Sequence, residues 1–285
     1  MKKLMITTAL CCAATGAAAE LTYGSAFANR HNFDNGSAIG DLNTFGGGAE
    51  FRLNQFTISG EINRIDGDGG ALDFGSIGVG YALPNGVTLG LDYSGLDIDI
   101  ANVEVLSGYA FYTFGSYTLG LSAGDSSDLS DTTYSVFGAW DVSPSGTVGA
   151  DVIRVEGDTL LAAYAVYDLE SYSLQADAIV QDDVELFAIS GSYDLGNNFS
   201  LLGSLSSVDL DGDGLTAISF GGAYEFVPGA KVELAVGRLN LDGADNVDRL
   251  SLGVNYEFGK RTSKRRTLSN VFGTIANGSL GLTDF

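Results

Sequence analysis

The sequence contains one histidine, His31, and a histidine-dependent hydrolase would have to use this side chain as its base. A serine hydrolase needs a histidine in reach of a serine nucleophile, together with a third group that orients the imidazole ring. His31 stands alone beside a turn-rich segment, and the only two cysteines are Cys11 and Cys12. We therefore expect no enzymatic activity, no catalytic residue and no cofactor.

A second candidate for chemistry is an acidic segment that could bind calcium. Asp209-Leu-Asp-Gly-Asp-Gly214 matches the first six positions of an EF-hand loop, but the twelfth position is Phe220 instead of a bidentate glutamate. No helical pattern flanks the segment. We predict no specific metal site, and we keep a secreted soluble calcium-binding β-protein as a less favoured alternative.

The balance of charge is a third informative feature. Residues 20–258 carry 35 acidic and seven basic side chains, whereas residues 259–285 carry five basic side chains and one acid, Asp284. A body this acidic argues against nucleic acid as a partner. The change of sign marks a separate basic tail.

The elements that would position the carboxylates repeat along the chain. Eight times an aromatic residue is followed two positions later by an apolar one, and the second members lie 26 to 32 residues apart. This interval is about the length of one β-hairpin with its turns. The pairs are Phe51/Leu53, Tyr81/Leu83, Tyr112/Phe114, Trp140/Val142, Tyr167/Leu169, Tyr193/Leu195, Tyr224/Phe226 and Tyr256/Phe258.

Each pair is followed by a short turn and then by a run in which apolar and small polar residues alternate. Such runs are long enough for tilted strands to cross a bilayer, and apart from the N-terminus no stretch is apolar enough for a membrane helix. We predict an all-β, transmembrane antiparallel β-barrel of about 16 strands, with short periplasmic turns and longer acidic extracellular loops. The predicted loops are Asp34–Asp41, Ile65–Ala71, Gly95–Asn102, Gly124–Thr132, Val208–Gly214 and Leu241–Val247, with tighter connections at Glu156–Thr159 and Gln181–Asp183.

The ends of the chain define three predicted segments. Lys2 and Lys3 precede an apolar stretch and an Ala17-Ala18-Ala19 cleavage site, which together are typical of a secretory signal. We predict a signal peptide over residues 1–19, a transmembrane barrel over 20–259 and a periplasmic basic tail over 260–285.

Alternation assigns side chains to the two faces of the barrel. Aromatic residues at strand ends should face lipid as a girdle, which leaves their neighbours facing a polar lumen rich in glycine and serine. The predicted girdle is Tyr81, Tyr112, Trp140, Tyr167, Tyr193, Tyr224, Tyr256 and Phe258. The predicted pore-lining residues are Glu61, Asp92, Asp151, Asp177, Glu233 and Arg249. The predicted residues of the periplasmic mouth are Asp141, Asp168, Asp194, Glu225 and Glu257.

With these features the chain resembles the Gram-negative outer-membrane general-diffusion porin family. Its last strand, Leu250 to Phe258, is similar to the alternating, aromatic-terminated assembly signal of that family. The resemblance implies passive diffusion of small hydrophilic solutes across the cell outer membrane, contact with outer-membrane lipid and association into a homotrimer. The excess of carboxylates predicts a preference for cations. The main alternative is a structural or adhesive outer-membrane barrel with a closed lumen.

The chain departs from the family pattern at two places. The counterpart of the third extracellular loop, Gly95–Asn102, is too short to fold into the lumen and narrow it. The chain also continues for 27 residues beyond Phe258, where family members usually end. What constricts the lumen is therefore open at this stage.

Overall fold

Each alternating run of the sequence forms one strand in the computed structural model. The residues that it describes are 20–34, 40–67, 70–98, 101–126, 132–182, 184–210, 212–243, 245–259, 270–271 and 273–274. Sixteen strands pair antiparallel, each with its sequence neighbours, and β1 pairs with β16 to close the barrel. The predicted all-β fold and the strand number are confirmed. No helix in the described part of the chain is long and apolar enough to cross a membrane.

The strands cover nearly all of the residues between 20 and 259. They are β1 (Glu20–Phe33), β2 (Leu42–Leu53), β3 (Phe56–Gly67), β4 (Gly70–Ala82), β5 (Val87–Ile98), β6 (Ala101–Phe114), β7 (Tyr117–Asp125), β8 (Thr133–Ser143), β9 (Gly146–Val155), β10 (Asp158–Asp168), β11 (Tyr172–Gln181), β12 (Val184–Gly196), β13 (Phe199–Leu210), β14 (Asp213–Val227), β15 (Ala230–Leu241) and β16 (Val247–Gly259).

The two ends of the barrel differ, and we name them by their connections. At the turn end β2 meets β3 through Asn54 and Gln55, and Asn54 has a φ of 55°, which asparagine tolerates better than most residues. We call the opposite end, where β1 is joined to β2, the loop end. Three loop-end connections are shorter than predicted, because β3–β4, β5–β6 and β13–β14 each leave two residues between strands. The segments 65–71, 95–102 and 208–214 are thus mostly strand, since the alternation continues through their aspartates and glycines.

The outer face of the barrel is apolar over most of its height. Leu91, Leu119, Leu174 and Leu252 point outward and are exposed, as the alternation requires. At the turn end the girdle aromatics meet aromatics of neighbouring strands; the Phe56 and Tyr81 ring centroids, for example, are 4.8 Å apart. Such a row suits the boundary between hydrocarbon and headgroups.

The predicted girdle residues differ in how far they are exposed. Tyr112, Trp140, Tyr193, Tyr224 and Tyr256 are exposed, whereas Tyr81, Tyr167 and Phe258 are half-buried. Further aromatics belong to the same row at the turn end. They are Phe56, Phe114, Tyr117, Tyr172 and Phe199.

Ion pairs mark the other edge of the apolar band. Arg30 pairs with Asp41 at 3.0 Å, and Arg238 pairs with Asp248, all close to the loop end. Tyr256 of the girdle and Asp248 lie eight residues apart on β16. For a strand tilted by about 40° this separation corresponds to a band roughly 20 Å high, close to what an outer-membrane barrel presents to lipid.

The inner face is not uniformly polar, which differs from the prediction. Near the loop end, buried apolar side chains form two clusters on the inner wall, and we call them together the loop-end collar. One cluster lies on β1–β4 and β14–β16 and contains Phe33, Leu42, Ile65, Phe74, Ala217, Leu239 and Val247. The other lies on β9–β13 and contains Ile153, Leu160, Ala162, Ile179, Leu186, Ala188 and Val208.

Candidate functional site: the barrel lumen

Below the collar the inner wall is polar. A cavity of about 260 Å³ lies against β1–β6 in the turn-end half of the lumen. Glu50, Glu61 and Asp92 contribute carboxylates to its lining, and Tyr109 and Phe111 contribute parallel rings with centroids 6.1 Å apart. Carboxylates next to aromatic faces form a surface that attracts cations and holds water.

The strand alternation places the six predicted pore-lining residues on the inner face. Asp92, for example, is buried between Leu91 and Tyr93, which are both exposed on the outside. Asp151, Asp177 and Arg249 are also buried, and Glu233 is half-buried on β15 opposite Gly253 of β16. Their contribution to a conducting path stays a prediction.

Two of these carboxylates have hydrogen bonds that fix their positions. Gln175 donates to Asp177 Oδ2 at 2.8 Å along β11. Glu61 Oε1 accepts from the Ser76 hydroxyl at 3.5 Å and also from the side-chain amide of Asn270. Asn270 belongs to the tail, so Glu61 joins the barrel wall to a segment more than 200 residues away.

The carboxylates predicted at the mouth also stabilise the turn end. The register shifts at Asp141, Asp194 and Glu225 are bulges in the ladder. Asp194 accepts the Gly196 N–H at 2.7 Å, and Glu225 accepts the Gly229 N–H at 2.6 Å, which satisfies backbone donors beside the irregularity. The Thr147 hydroxyl donates to Asp141 at 2.8 Å. Asp168 and Glu257 are exposed at the same end.

His31 lies on the inner wall at the height of the collar. Its Nδ1 is 2.8 Å from the Ser251 hydroxyl, and its Nε2 is 3.5 Å from the Thr44 hydroxyl. In a hydrolase triad one ring nitrogen faces the nucleophilic hydroxyl and the other faces a carboxylate, whereas both ring nitrogens of His31 face hydroxyls. With buried Arg249 nearby on β16, these side chains interrupt the apolar collar on β1, β2 and β16.

The acidic segment that resembles a calcium loop lies at the hairpin of β13 and β14. Asp209 pairs across the ladder with Gly214, and its carboxylate accepts the Gly212 N–H at 2.9 Å. Aspartate side chains commonly accept hydrogen bonds from backbone N–H groups in turns, so the hairpin alone explains this contact. Among the described residues no three histidine, cysteine, aspartate or glutamate side chains come close enough together to hold a metal ion.

Part of the predicted tail lies inside the barrel. Residues 270–271 and 273–274 form a helical turn, in which the Thr274 hydroxyl donates to the Asn270 carbonyl at 3.0 Å. Asn270 binds Glu61 and borders the polar cavity, and Val271, 1% exposed, packs into the collar on β9–β13. The periplasmic position predicted for the tail is therefore wrong for these four residues. The basic segment 260–266 lies outside the described residues.

Some residues of this site could be identified from the sequence, and others could not. Glu50, Tyr109 and Phe111 follow from the same alternation that assigned Glu61 and Asp92, and they could have been included. Asn270 and Val271 carry no signal of their own, because Asn270 to Thr274 shows no strand-like alternation.

Similarity to known proteins lies in the fold. No protein-family model matches the chain, and no curated protein matches its sequence. A solved mutant of the porin of Rh. blastica superposes with a TM-score of 0.53 at 15% identity, covering 84% of this chain and 100% of that one. OccK3 (OpdO) of Pseudomonas aeruginosa superposes with a TM-score of 0.52 at 10% identity, covering 84% of this chain and 95% of that one.

These likenesses define the class of fold. The chain has the closed, sixteen-stranded, antiparallel barrel of a porin, in agreement with the resemblance seen in the sequence.

Proposed function

We propose that the protein is an outer-membrane channel that lets small hydrophilic solutes diffuse passively and favours cations over anions. The observation that carries this proposal is a closed barrel with an apolar outer band and a polar turn-end half that contains a cavity of about 260 Å³. Water and solutes can occupy such a space, while the apolar band matches the hydrocarbon of the membrane.

Cation preference in this proposal comes from the inward carboxylates. Glu50, Glu61 and Asp92 line the cavity with one basic side chain, Arg52. Net negative charge on a narrow wall of low dielectric raises the local concentration of cations and lowers that of anions. The partners are then outer-membrane lipid, hydrophilic solutes and small cations, in the cell outer membrane, and homotrimeric assembly stays a prediction.

A second candidate is a structural barrel whose lumen is closed. The specific observation in its favour is the loop-end collar, in which Leu239 and Ile179 have no exposed surface. An apolar ring of this kind can exclude water and so block ions. Such a barrel would serve as an anchor or an adhesive surface without transport.

Solute flux into liposomes distinguishes the two functions. Vesicles that contain the refolded full-length chain are placed in isotonic solutions of neutral sugars of increasing size, and swelling is followed by light scattering. A channel gives swelling that slows as the sugar becomes larger, whereas a closed barrel gives the rate of protein-free vesicles for every sugar. Exclusion of even the smallest sugars from the vesicles in all preparations would reject the channel.

A further inference from the structure

The helical turn of residues 270–271 and 273–274 lies where the polar and apolar parts of the lumen meet, and it makes a polar contact on one side and an apolar contact on the other. Asn270 donates to Glu61 of the polar half, on β3. Val271 fills a position in the collar among apolar side chains of β9–β13. Complementary contacts on both sides indicate a specific binding position for the turn. We call this position, formed by Glu61 and the collar on β9–β13, the seat.

Close packing against a third position supports the same seat. A Cβ atom added to Gly273 would lie 2.5 Å from the Phe74 ring on β4, so only glycine fits there without displacement. Phe74 belongs to the collar on β1–β4 and β14–β16, whereas Val271 belongs to the collar on β9–β13. The turn therefore touches both parts of the collar and bridges the lumen between them.

The chain can reach this seat from the turn end. Strand β16 ends at Gly259, eleven residues before Asn270, and an extended chain of that length spans up to about 37 Å. Glu61 lies only five residues from the turn end of β3, so the distance is well within reach.

We propose that this turn is the constriction element of the lumen: residues 270–271 and 273–274 dock on Glu61, Phe74 and the collar of β9–β13 and restrict passage between the two halves of the barrel. The inference rests on the proposed channel function and deepens it. The turn takes the place of an inward-folded loop between β5 and β6, where the strands leave only two residues. Val271 is buried in the collar, so a single substitution can weaken the docking of the turn.

Cross-linking tests where the turn lies, independently of conduction. Asn270→Cys is combined with Glu61→Cys in the full-length chain, with Cys11 and Cys12 replaced by serine, and the refolded protein is treated with a short bis-methanethiosulfonate reagent. A reagent is used because a direct disulfide requires Cα atoms closer than about 7 Å. The control pair, Asn270→Cys with Asp194→Cys, places the second thiol at the exposed turn end. Bridging of the first pair alone supports the seat, and absence of that bridge overturns it.

Conductance of the same proteins in planar bilayers tests the constriction. We expect lower conductance in the bridged Asn270→Cys/Glu61→Cys protein than after dithiothreitol cleaves the bridge. Gly273→Val, which collides with Phe74, should raise conductance by at least about twofold over the unsubstituted chain. The matched control Gly203→Val adds the same side chain where nothing lies within 4 Å, and should leave conductance unchanged.

Each remaining outcome decides one of the two proposals. If the bridge forms but conductance is equal before and after cleavage, and Gly273→Val behaves like the unsubstituted chain, the turn is seated in the lumen and does not constrict it, so the inference is overturned. If no protein of the set conducts although the bridge forms, the channel function is overturned, and the constriction with it.

Discussion

The two halves of the lumen are built from the same sixteen strands but have opposite chemistry. In the turn-end half the inward positions hold Glu50, Glu61 and Asp92 around a cavity, whereas near the loop end they hold the apolar collar. The outer face is apolar at both heights. Strand alternation thus determines which residues face inward, but it does not determine whether the inward residues at a given height are polar or apolar.

The contrast also explains the position of the tail. A lumen that was polar throughout would offer Val271 no site for burial, and a lumen that was apolar throughout would leave the Asn270 amide without a partner. The boundary between the halves satisfies both side chains. The constriction therefore lies at this boundary.

The largest expected effect comes from placing a charge in the collar. Ile179→Asp puts a carboxylate into a site with no exposed surface among apolar neighbours, and should lower the free energy of unfolding by about 4 kcal/mol or more. Thr57→Asp, on the polar wall of the cavity and opposite Arg52 in the ladder, should cost less than about 1 kcal/mol because water reaches it and a basic side chain faces it. Urea unfolding in detergent micelles measures both. Equal losses would show that the halves do not differ in polarity.

An intermediate effect is expected on the outer face, which the two halves share. Leu91→Arg places a charge in the middle of the apolar band and should cost about 2 to 4 kcal/mol on folding into bilayers. Thr88→Arg, on the same strand but lining the cavity, is the matched inward control and should fold almost as well as the unsubstituted chain. Folding yield into lipid vesicles, followed by heat-modifiable gel mobility, tests this. Equal tolerance at both positions would contradict the register of β5.

Most of the barrel could be predicted from the sequence, because its signals are local and repeated. Alternation, aromatic strand ends and turn residues such as Asn54 indicated sixteen strands and the inward position of Glu61 and Asp92. The collar was missed, because Ile179 and Leu239 have the correct parity for the inner face but the wrong polarity for a water-filled one. The seat of the tail was missed because the contact of Asn270 with Glu61 joins residues 209 positions apart.

The smallest expected effect concerns charge in the turn-end half. Glu61→Gln combined with Asp92→Asn should reduce the permeability ratio of K⁺ to Cl⁻ several-fold, about 1 kcal/mol, because the lining loses two negative charges. The change should shrink in 1 M salt, where the Debye length is about 3 Å. Asp209→Asn, at a loop-end hairpin, is the control and should leave the ratio unaltered. A ratio unchanged by the double substitution would remove these carboxylates from the ion path.

The most direct test of the channel proposal is the reversal potential of the full-length protein in a planar bilayer under a KCl gradient. We predict discrete openings whose reversal potential has the sign for K⁺ over Cl⁻, with larger openings for Gly273→Val. Bilayers that stay silent with both proteins, or openings that favour Cl⁻, would contradict a cation-preferring channel.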